Sequence, residues 1–127
     1  MPIPKKLLTR KDEITRDFLR LYEEHIAKLM IGEHTKRYSA KTFADLLFID
    51  SRHLTNTIHL TTGRSPCDFM EQRIVAEAQK LLSETSLSVA QIGYKFAYED
   101  PTNFTKFFKG MTGITPLQYR KKISTAA

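Results

Sequence analysis

The chain has 127 residues, with 20 lysine and arginine residues against 14 acidic ones, so its formal charge is +6. This length suits one ordinary domain or two small ones, and the positive charge favours an anionic partner such as nucleic acid, or less often a membrane surface. The single cysteine, Cys67, cannot form an internal disulfide, and no apolar run is long enough for a membrane span or a secretory signal. We therefore expect a soluble, intracellular protein.

The first element is predicted to be a helix over residues 12–30. Apolar residues recur throughout the chain at steps of three and four, and no segment keeps the strict alternation of a half-buried strand, so we predict an all-α fold. In the first helix the apolar stripe consists of Ile14, Phe18, Leu21 and Ile26. The polar stretch over residues 31–41 is predicted to be a loop.

A short helix is predicted to begin at Thr42, and its predicted core residues are Phe43, Leu46 and Leu47. After a turn, Asp50 is expected to cap the next helix, over about residues 51–61, by accepting a backbone N–H bond. The predicted inward residues of that helix are Leu54, Ile58 and Thr61. Gly63 suits the left-handed position that follows a helix end.

A long helix, "PCDFMEQRIVAEAQKLLSE", is predicted next, with Ser65 as its N-cap and Pro66 as its first residue. Its predicted inward residues are Phe69, Ile74, Ala78 and Leu81. This helix is long enough to connect two small bundles rigidly.

The same order of elements then repeats. In the short helix "SVAQIGYKFAY" the predicted inward residues are Val89, Ile92 and Phe96, shifted by forty-nine residues from the first copy. One extra residue in the turn makes the shift fifty, so that Asp100 and Pro101 start a helix that carries Phe104, Phe107 and Phe108 and ends at Gly113. Thr115 and Pro116 open a last helix, "PLQYRKK".

The two copies are related in sequence. Between "DSRHLTNTIHLTTGRSP" (residues 50–66) and "DPTNFTKFFKGMTGITP" (residues 100–116), five of the seventeen positions are identical, where chance gives about one. Two helices joined by a short turn, the second amphipathic, are typical of a helix-turn-helix, whose second helix reads base edges in the major groove. One such pair is a weak signal, but two copies with a connecting helix in a basic chain indicate DNA binding.

These residues resemble the AraC/XylS family of transcription regulators. The resemblance rests on "FADLLFIDSRHLTNTI", "TGRSPCDFMEQRIVAEAQKLL" and above all "LSVAQIGYKFAYEDPTNFTKFFKGMTGITPLQYR", and covers about residues 12–122. It implies two helix-turn-helix subdomains, residues 12–64 and 85–127, joined by a connecting helix over residues 65–84, with about seven helices in all and a flexible leader or linker over residues 1–11. The chain departs from the family pattern in the turns, where Gly93 and Ala97 stand in place of the usual Ala and Gly, and Asp50-Ser51 replaces Ser-Pro.

The resemblance also implies sequence-specific binding of promoter DNA, with the two recognition helices in successive major grooves about 34 Å apart. The base-facing positions of the family correspond here to Arg52, Thr55 and Asn56 in the first recognition helix and to Pro101, Thr102, Thr105 and Lys106 in the second. The residue types fit in part, because Arg and Lys bind guanine and Asn binds adenine. Farther along the helices, phosphate contacts are expected from His59, Thr62, Lys109 and Thr112.

Other interpretations of the same residues remain open. The polar faces suit plain solvation, Thr55 and Thr105 suit a thymine methyl, a phosphate or solvent, and Arg73 suits a phosphate or a structural ion pair. The four histidines lack metal-ligand spacing, and no nucleotide-binding loop or nucleophile motif is present, so we expect no metal, no cofactor and no enzymatic activity. The alternative function is a helical protein–protein interaction module without sequence-specific DNA binding.

The expected partner is double-stranded promoter DNA in the cytoplasm, at the nucleoid. RNA polymerase is a further partner that the resemblance implies. Family members usually carry an N-terminal sensor or dimerisation domain, which has no room in this chain, so we expect an excised output domain rather than a complete short regulator. No membrane partner is expected.

Overall fold

The computed structural model describes residues 9–126, which form seven α-helices and no strand. The helices are α1 (Arg10–Met30), α2 (Ala40–Leu46), α3 (Ser51–Thr62), α4 (Pro66–Glu84), α5 (Val89–Lys95), α6 (Pro101–Thr112) and α7 (Pro116–Ala126). The predicted all-α class, the helix number and the two helix-turn-helix pairs with a long helix between them are confirmed. Most of the predicted leader lies outside the described residues, and Arg10 and Lys11 already belong to α1. No helix within residues 9–126 is long and apolar enough to cross a membrane.

The chain divides into two compact units. The first contains the described residues up to Ala27 together with Tyr38–Met70, and the second contains Lys28–Arg37 and Glu71 onwards. The end of α1 and the loop after it therefore belong with α5, α6 and α7, although they precede α2 in the chain. The sequence does not suggest this grouping.

The core of the first unit is aromatic. The ring of Phe18 lies 5.3 Å from that of Phe43 and 5.9 Å from that of Phe69, while Leu54 and Ile58 of α3 are fully buried. His25, also buried, stacks on Tyr38 at 3.8 Å between ring centroids and accepts a hydrogen bond from the Tyr38 backbone N–H. Burial of the apolar face of α3 fixes which of its residues point outward.

The core of the second unit repeats this arrangement with larger side chains on the recognition helix. Phe104 and Phe108 of α6 are fully buried, as are Ile92 and Phe96. The rings of Phe104 and Phe108 lie 5.5 Å from Tyr98 and 5.8 Å from Tyr119, respectively. Aromatic pairs at such distances stabilise beyond their buried area, by about 0.5–1.5 kcal/mol each.

The predicted core is wrong at Leu46 and Thr61. Leu46 is exposed, and Ala44 is buried in its place. Successive residues of a helix are about 100° apart around its axis, so Leu46 lies to one side of the buried stripe formed by Phe43 and Ala44. Thr61 is also exposed, since its hydroxyl bonds to the Thr57 carbonyl and the Thr15 hydroxyl at the surface.

The buried stripe of α4 differs from the prediction by one residue at two positions. Met70 and Leu82 are buried, whereas the predicted Phe69 and Leu81 are half-buried. The observed stripe runs in steps of four and consists of Pro66, Met70, Ile74, Ala78 and Leu82. Phe69 lies beside this stripe, and the Arg64 guanidinium covers its ring at 3.9 Å from the centroid. The predicted Val89 of α5 is likewise half-buried.

Candidate nucleic-acid interface

The turns before the two recognition helices are built from the same hydrogen bonds. In the first turn (residues 47–50) the N–H of Ile49 donates to the Ala44 carbonyl at 3.0 Å, and in the second turn (residues 96–100) the N–H of Tyr98 donates to the Gly93 carbonyl at 3.1 Å. Each turn also contains one non-glycine residue in the left-handed region, Phe48 with φ 59° and Ala97 with φ 66°. The repeat that is weak in sequence is therefore clear in the backbone.

The caps of the recognition helices match as well. Asp50 accepts from the backbone N–H of His53 at 2.7 Å, and Asp100 accepts from that of Thr102 at 2.9 Å. Both helices end at glycines in the left-handed conformation, Gly63 with φ 76° and Gly113 with φ 87°. All four predictions are confirmed, and these caps fix the length and the start of α3 and α6.

The helices that follow begin with reciprocal caps. The Ser65 hydroxyl accepts from the Asp68 N–H, while the Asp68 carboxylate accepts from the Ser65 N–H, both at 3.1 Å. Thr115 and Gln118 make the corresponding pair of bonds before α7. The hydrogen bonds from Ser65 hold the pKa of the Asp68 carboxyl below its usual value.

The outer face of α3 opposes its buried Leu54 and Ile58. On this face Arg52, Asn56 and His59 are exposed, and Thr55 is half-buried at its edge. Residues 52 and 56 are one helical turn apart on the N-terminal half of the helix, where residues of a recognition helix reach base edges. The structure thus groups the three predicted base-contact residues of the first unit.

The outer face of α6 is arranged in the same way. Thr102, Lys106 and Lys109 are exposed, whereas Pro101 and Thr105 are half-buried. Pro101 is the first residue of the helix, a position where its missing N–H costs no hydrogen bond. The four predicted base-contact residues of the second unit therefore share one end of α6, but only Thr102 and Lys106 are fully on its outer face.

The basic side chains on these faces are not neutralised by carboxylates. Within residues 9–126, no ion pair includes Arg52, Lys106 or Lys109. By contrast, Arg73 on α4 pairs with Glu77 at 3.1 Å, which supports the structural interpretation of that arginine. Charges without a protein counter-ion remain available for an anionic partner.

Thr62 and Thr112 have a structural role that the sequence pattern does not predict. The Thr62 hydroxyl donates to the Ile58 carbonyl at 2.6 Å and accepts from the Arg64 N–H at 3.1 Å. Thr112 makes the same bonds with Phe108 and Ile114, at 2.9 and 3.4 Å. Each hydroxyl thus fixes the backbone at the end of a recognition helix, and its single proton is already used there.

Two further exposed residues lie beside the predicted contact residues and are not among the candidates that the sequence provides. His53 and Asn103 occupy equivalent positions, fifty residues apart, and both are exposed. Each lies on the opposite flank of its helix from the half-buried Thr55 or Thr105, so it is better placed for an external partner than that threonine. A helical projection centred on the buried residues would have found both.

The described residues contain no group of three or more His, Cys, Asp or Glu side chains placed to hold a metal ion.

Known proteins share the two helix pairs described above. The family model described as "Helix-turn-helix domain" matches residues 43–122. The uncharacterized HTH-type transcriptional regulator YisR of Bacillus subtilis (strain 168) is 26% identical over 114 residues, which are 90% of this chain and 37% of YisR. The chain thus spans little more than a third of that relative's length.

Solved structures share the fold. The C-terminal domain of AraT, a response regulator from Geobacillus stearothermophilus, is similar with a TM-score of 0.77 and 22% identity over 90% of this chain and 88% of that chain. The DNA-binding domain of AdpA, a global transcriptional factor solved in complex with a target DNA, has a TM-score of 0.74 and 18% identity over 87% and 95% of the two chains. The region matched by the family model covers the larger part of α2 and all of α3, α4, α5 and α6, so the chain belongs to the AraC-type helix-turn-helix family of transcription regulators.

Proposed function

We propose that this chain is the DNA-binding output part of a transcription regulator, and that it recognises promoter sites by placing α3 and α6 in successive major grooves. The observation that carries the proposal is the duplicated turn with its capping aspartate. Each copy precedes a helix whose outer face carries basic side chains without a carboxylate partner among the described residues. The AdpA domain, which shares this fold, was solved on a target DNA. An enzymatic role is not part of the proposal.

The outer faces divide into base-reading and backbone-binding positions. Arg52 and Lys106 are proposed to bind guanine, and Asn56 is proposed to bind adenine. Thr102 takes a base contact at the start of α6, Pro101 and the half-buried threonines 55 and 105 contact a thymine methyl or the backbone, and His59 and Lys109 bind phosphates farther along the helices. Thr62 and Thr112 are proposed to lie next to a phosphate, while their hydroxyls stay hydrogen-bonded to backbone carbonyls of the chain.

The organisation that we propose has residues 12–64 and 85–127 as the two reading subdomains, with residues 65–84 as the connection between them. RNA polymerase and an N-terminal sensor or dimerisation domain are proposed partners, and the nucleoid in the cytoplasm is the proposed location. The length of relatives such as YisR, of which this chain spans 37%, is consistent with a further domain in the whole regulator.

The decisive experiment is selection of bound duplexes from random DNA, followed by affinity measurements on the enriched site. Arg52→Ala is expected to lower discrimination at one half of the site, and Lys106→Ala at the other, each by roughly 5–150-fold for a lost contact of about 1–3 kcal/mol. Matched controls are Arg20→Ala and Lys80→Ala, which remove the same charges from exposed positions outside α3 and α6. They should weaken binding of all duplexes slightly and equally.

The alternative of a protein interaction module predicts a different result. If no duplex is enriched and binding to random DNA has no steep salt dependence, the DNA-binding proposal fails. If a site is enriched but Arg52→Ala and Lys106→Ala weaken all duplexes alike, the function stands and the two side chains are phosphate contacts.

A further inference from the structure

The segment 28–37 comprises the last three residues of α1 and the first part of the loop before α2, and it belongs to the second unit. It folds back on the end of α1, since the Gly32 N–H donates to the Leu29 carbonyl and the His34 N–H to the Lys28 carbonyl, both at 3.1 Å. Gly32 has φ 82°, which permits this reversal. The last residue of the segment, Arg37, is thereby brought to the second turn.

Arg37 contacts two residues of the second turn at once. Its Nη1 donates to the carbonyl oxygen of Phe96 at 2.8 Å, and its guanidinium carbon lies 4.0 Å from the centroid of the Tyr98 ring. Phe96 is the C-cap of α5, and carbonyl groups at a helix end have no partner within the helix. The arginine therefore supplies a hydrogen bond that the turn cannot make for itself, and adds a cation–π contact.

A second bond holds the segment from the other side. The Lys95 ammonium of α5 donates to the carbonyl of Met30, the last residue of α1, at 3.2 Å. Arg37 thus donates to the carbonyl at the end of α5, and Lys95 of α5 donates to the carbonyl at the end of α1. The crossed pair fixes α5 against the segment at two points.

The residue between the two contacts of Arg37 is the strained one. Ala97 has φ 66°, a left-handed conformation that is unfavourable for a residue with a Cβ atom. Beyond it, the Tyr98 ring packs 5.5 Å from Phe104 and 5.7 Å from Phe107 of α6. Arg37 therefore holds the two neighbours of the strained residue, one of which contacts the recognition helix directly.

The first turn has no aromatic ring at the equivalent position. Ile49 stands where the second turn has Tyr98, at a shift of forty-nine residues, and an aliphatic side chain has no π face for a guanidinium. The arginine contact is thus specific to the second of the two duplicated turns.

We propose that Arg37 is a positioning residue for α6: it holds the second turn in its strained conformation and so sets the direction in which Thr102 and Lys106 point. The proposal rests on the proposed function, because positioning matters only if α6 reads bases. It assigns a specificity role in the second half of the DNA site to a residue outside both helix pairs.

The test uses Arg37→Lys, which keeps the charge but not the planar group that spans the carbonyl and the ring. We expect discrimination at the half of the site read by Lys106 to fall about 5-fold or more, which corresponds to a loss of about 1 kcal/mol. Discrimination at the half read by Arg52 should stay within about 2-fold. Lys36→Ala is the control, because Lys36 is exposed in the same segment. It should weaken all duplexes equally.

A readout without DNA separates positioning from phosphate binding. Amide exchange of the Tyr98 N–H, which is bonded to Gly93, should quicken about 5-fold or more in Arg37→Lys and stay unchanged in Lys36→Ala. Tyr98→Phe keeps the ring and should retain both protection and discrimination, whereas Tyr98→Leu should lose them.

The outcomes keep the two proposals apart. If the wild-type chain selects a site with two informative halves, but Arg37→Lys leaves its second half and the Tyr98 exchange unchanged, the role of Arg37 is refuted and the DNA-binding function survives. If the wild-type chain selects no site, the function itself fails. In that case faster exchange in Arg37→Lys still establishes the contact as structural, and the specificity role is refuted.

Discussion

Gly93 and Phe104 lie in such close contact that a methyl group added to Gly93 would stand 3.0 Å from the Cβ and 3.2 Å from the Cγ of Phe104. In the first unit the equivalent pair is Ala44 and Leu54, both fully buried. The same contact between the two helices is therefore filled differently in the two copies. In the second unit a larger residue on the recognition helix, Phe104, packs against a smaller residue on the preceding helix, Gly93.

This relationship predicts that Gly93→Ala is destabilising although alanine is the better helix former. Phe104 is fully buried, and overpacking against such a side chain costs roughly 1–3 kcal/mol, against a gain in helix propensity of about 1 kcal/mol. Adding Phe104→Leu should recover part of the loss, so that the double variant is more stable than the sum of the single ones predicts. Denaturant unfolding of the four proteins measures the coupling.

Gly110→Ala provides the control for that cycle. Gly110 lies in α6 with nothing near its added methyl and without a positive φ, so the same change should stabilise the protein by up to about 1 kcal/mol. A Gly93→Ala variant that is as stable as Gly110→Ala would show that Phe104 moves aside freely.

The strained turn residues predict two stabilising substitutions. Ala97→Gly and Phe48→Gly relieve a cost of about 1–2 kcal/mol against an entropy loss of about 0.4–1 kcal/mol, so each should raise the free energy of unfolding by roughly 0.5–1 kcal/mol. Phe48 is 94% exposed, so removing its ring loses no burial. Thermal or denaturant unfolding measures both, and Ala90→Gly within α5 should do the opposite.

Tyr98 predicts a loss of stability at alkaline pH. Burial raises the pKa of its phenol above the usual value of 10.0, although the Arg37 charge works in the other direction. The folded chain therefore keeps this proton at a pH where the unfolded chain has lost it, and stability falls as pH rises through about 10 towards the folded pKa. Tyr98→Phe should flatten this decline as pH rises above about 10, and an unchanged slope would assign the decline to other groups.

Asp68 predicts a local change at acid pH. Because the hydrogen bonds from Ser65 lower the pKa of its carboxyl, its contribution to the start of α4 is present above the unfolded pKa of about 3.9 and is lost as pH falls through the folded pKa. The protection factor of the Ser65 amide, whose N–H donates to the Asp68 carboxylate, should therefore fall in acid relative to the intrinsic exchange rate. The Thr115–Gln118 cap serves as the internal control, since glutamine does not titrate.

Lys109 predicts an effect on affinity without an effect on sequence preference. Lys109→Gln should weaken binding to specific and random duplexes by the same factor, and should reduce the slope of log K against log salt by about 0.9. Fluorescence anisotropy over a salt series measures this. A change in the selected sequence would instead place Lys109 at a base edge.

Much of the fold could be predicted from the sequence, because its determinants are local. Asp50, Gly63, Asp100 and Gly113 mark helix ends by rules that involve only a few neighbouring residues, and all four behave as expected. The errors at Leu46 and Leu81 concern which side of a helix is buried, and that depends on packing partners distant in the chain.

The candidate site was predictable to a similar extent. Burial of Leu54, Ile58, Phe104 and Phe108 determines which residues of α3 and α6 point outward. The engaged hydroxyls of Thr62 and Thr112, and the contact of Arg37 with the second turn, depend on how the backbone folds between helices. Periodicity contains no information about such bonds.

The grouping of residues 28–37 with the second unit limits how this protein can be dissected. A fragment that starts within α4 would lack Arg37 and Met30, so its amide exchange and solubility would describe an incomplete domain. Anyone who transplants the second recognition helix into another regulator must therefore move two stretches that are separated in the gene, and a chimera with a single crossover would inherit the helix without its support.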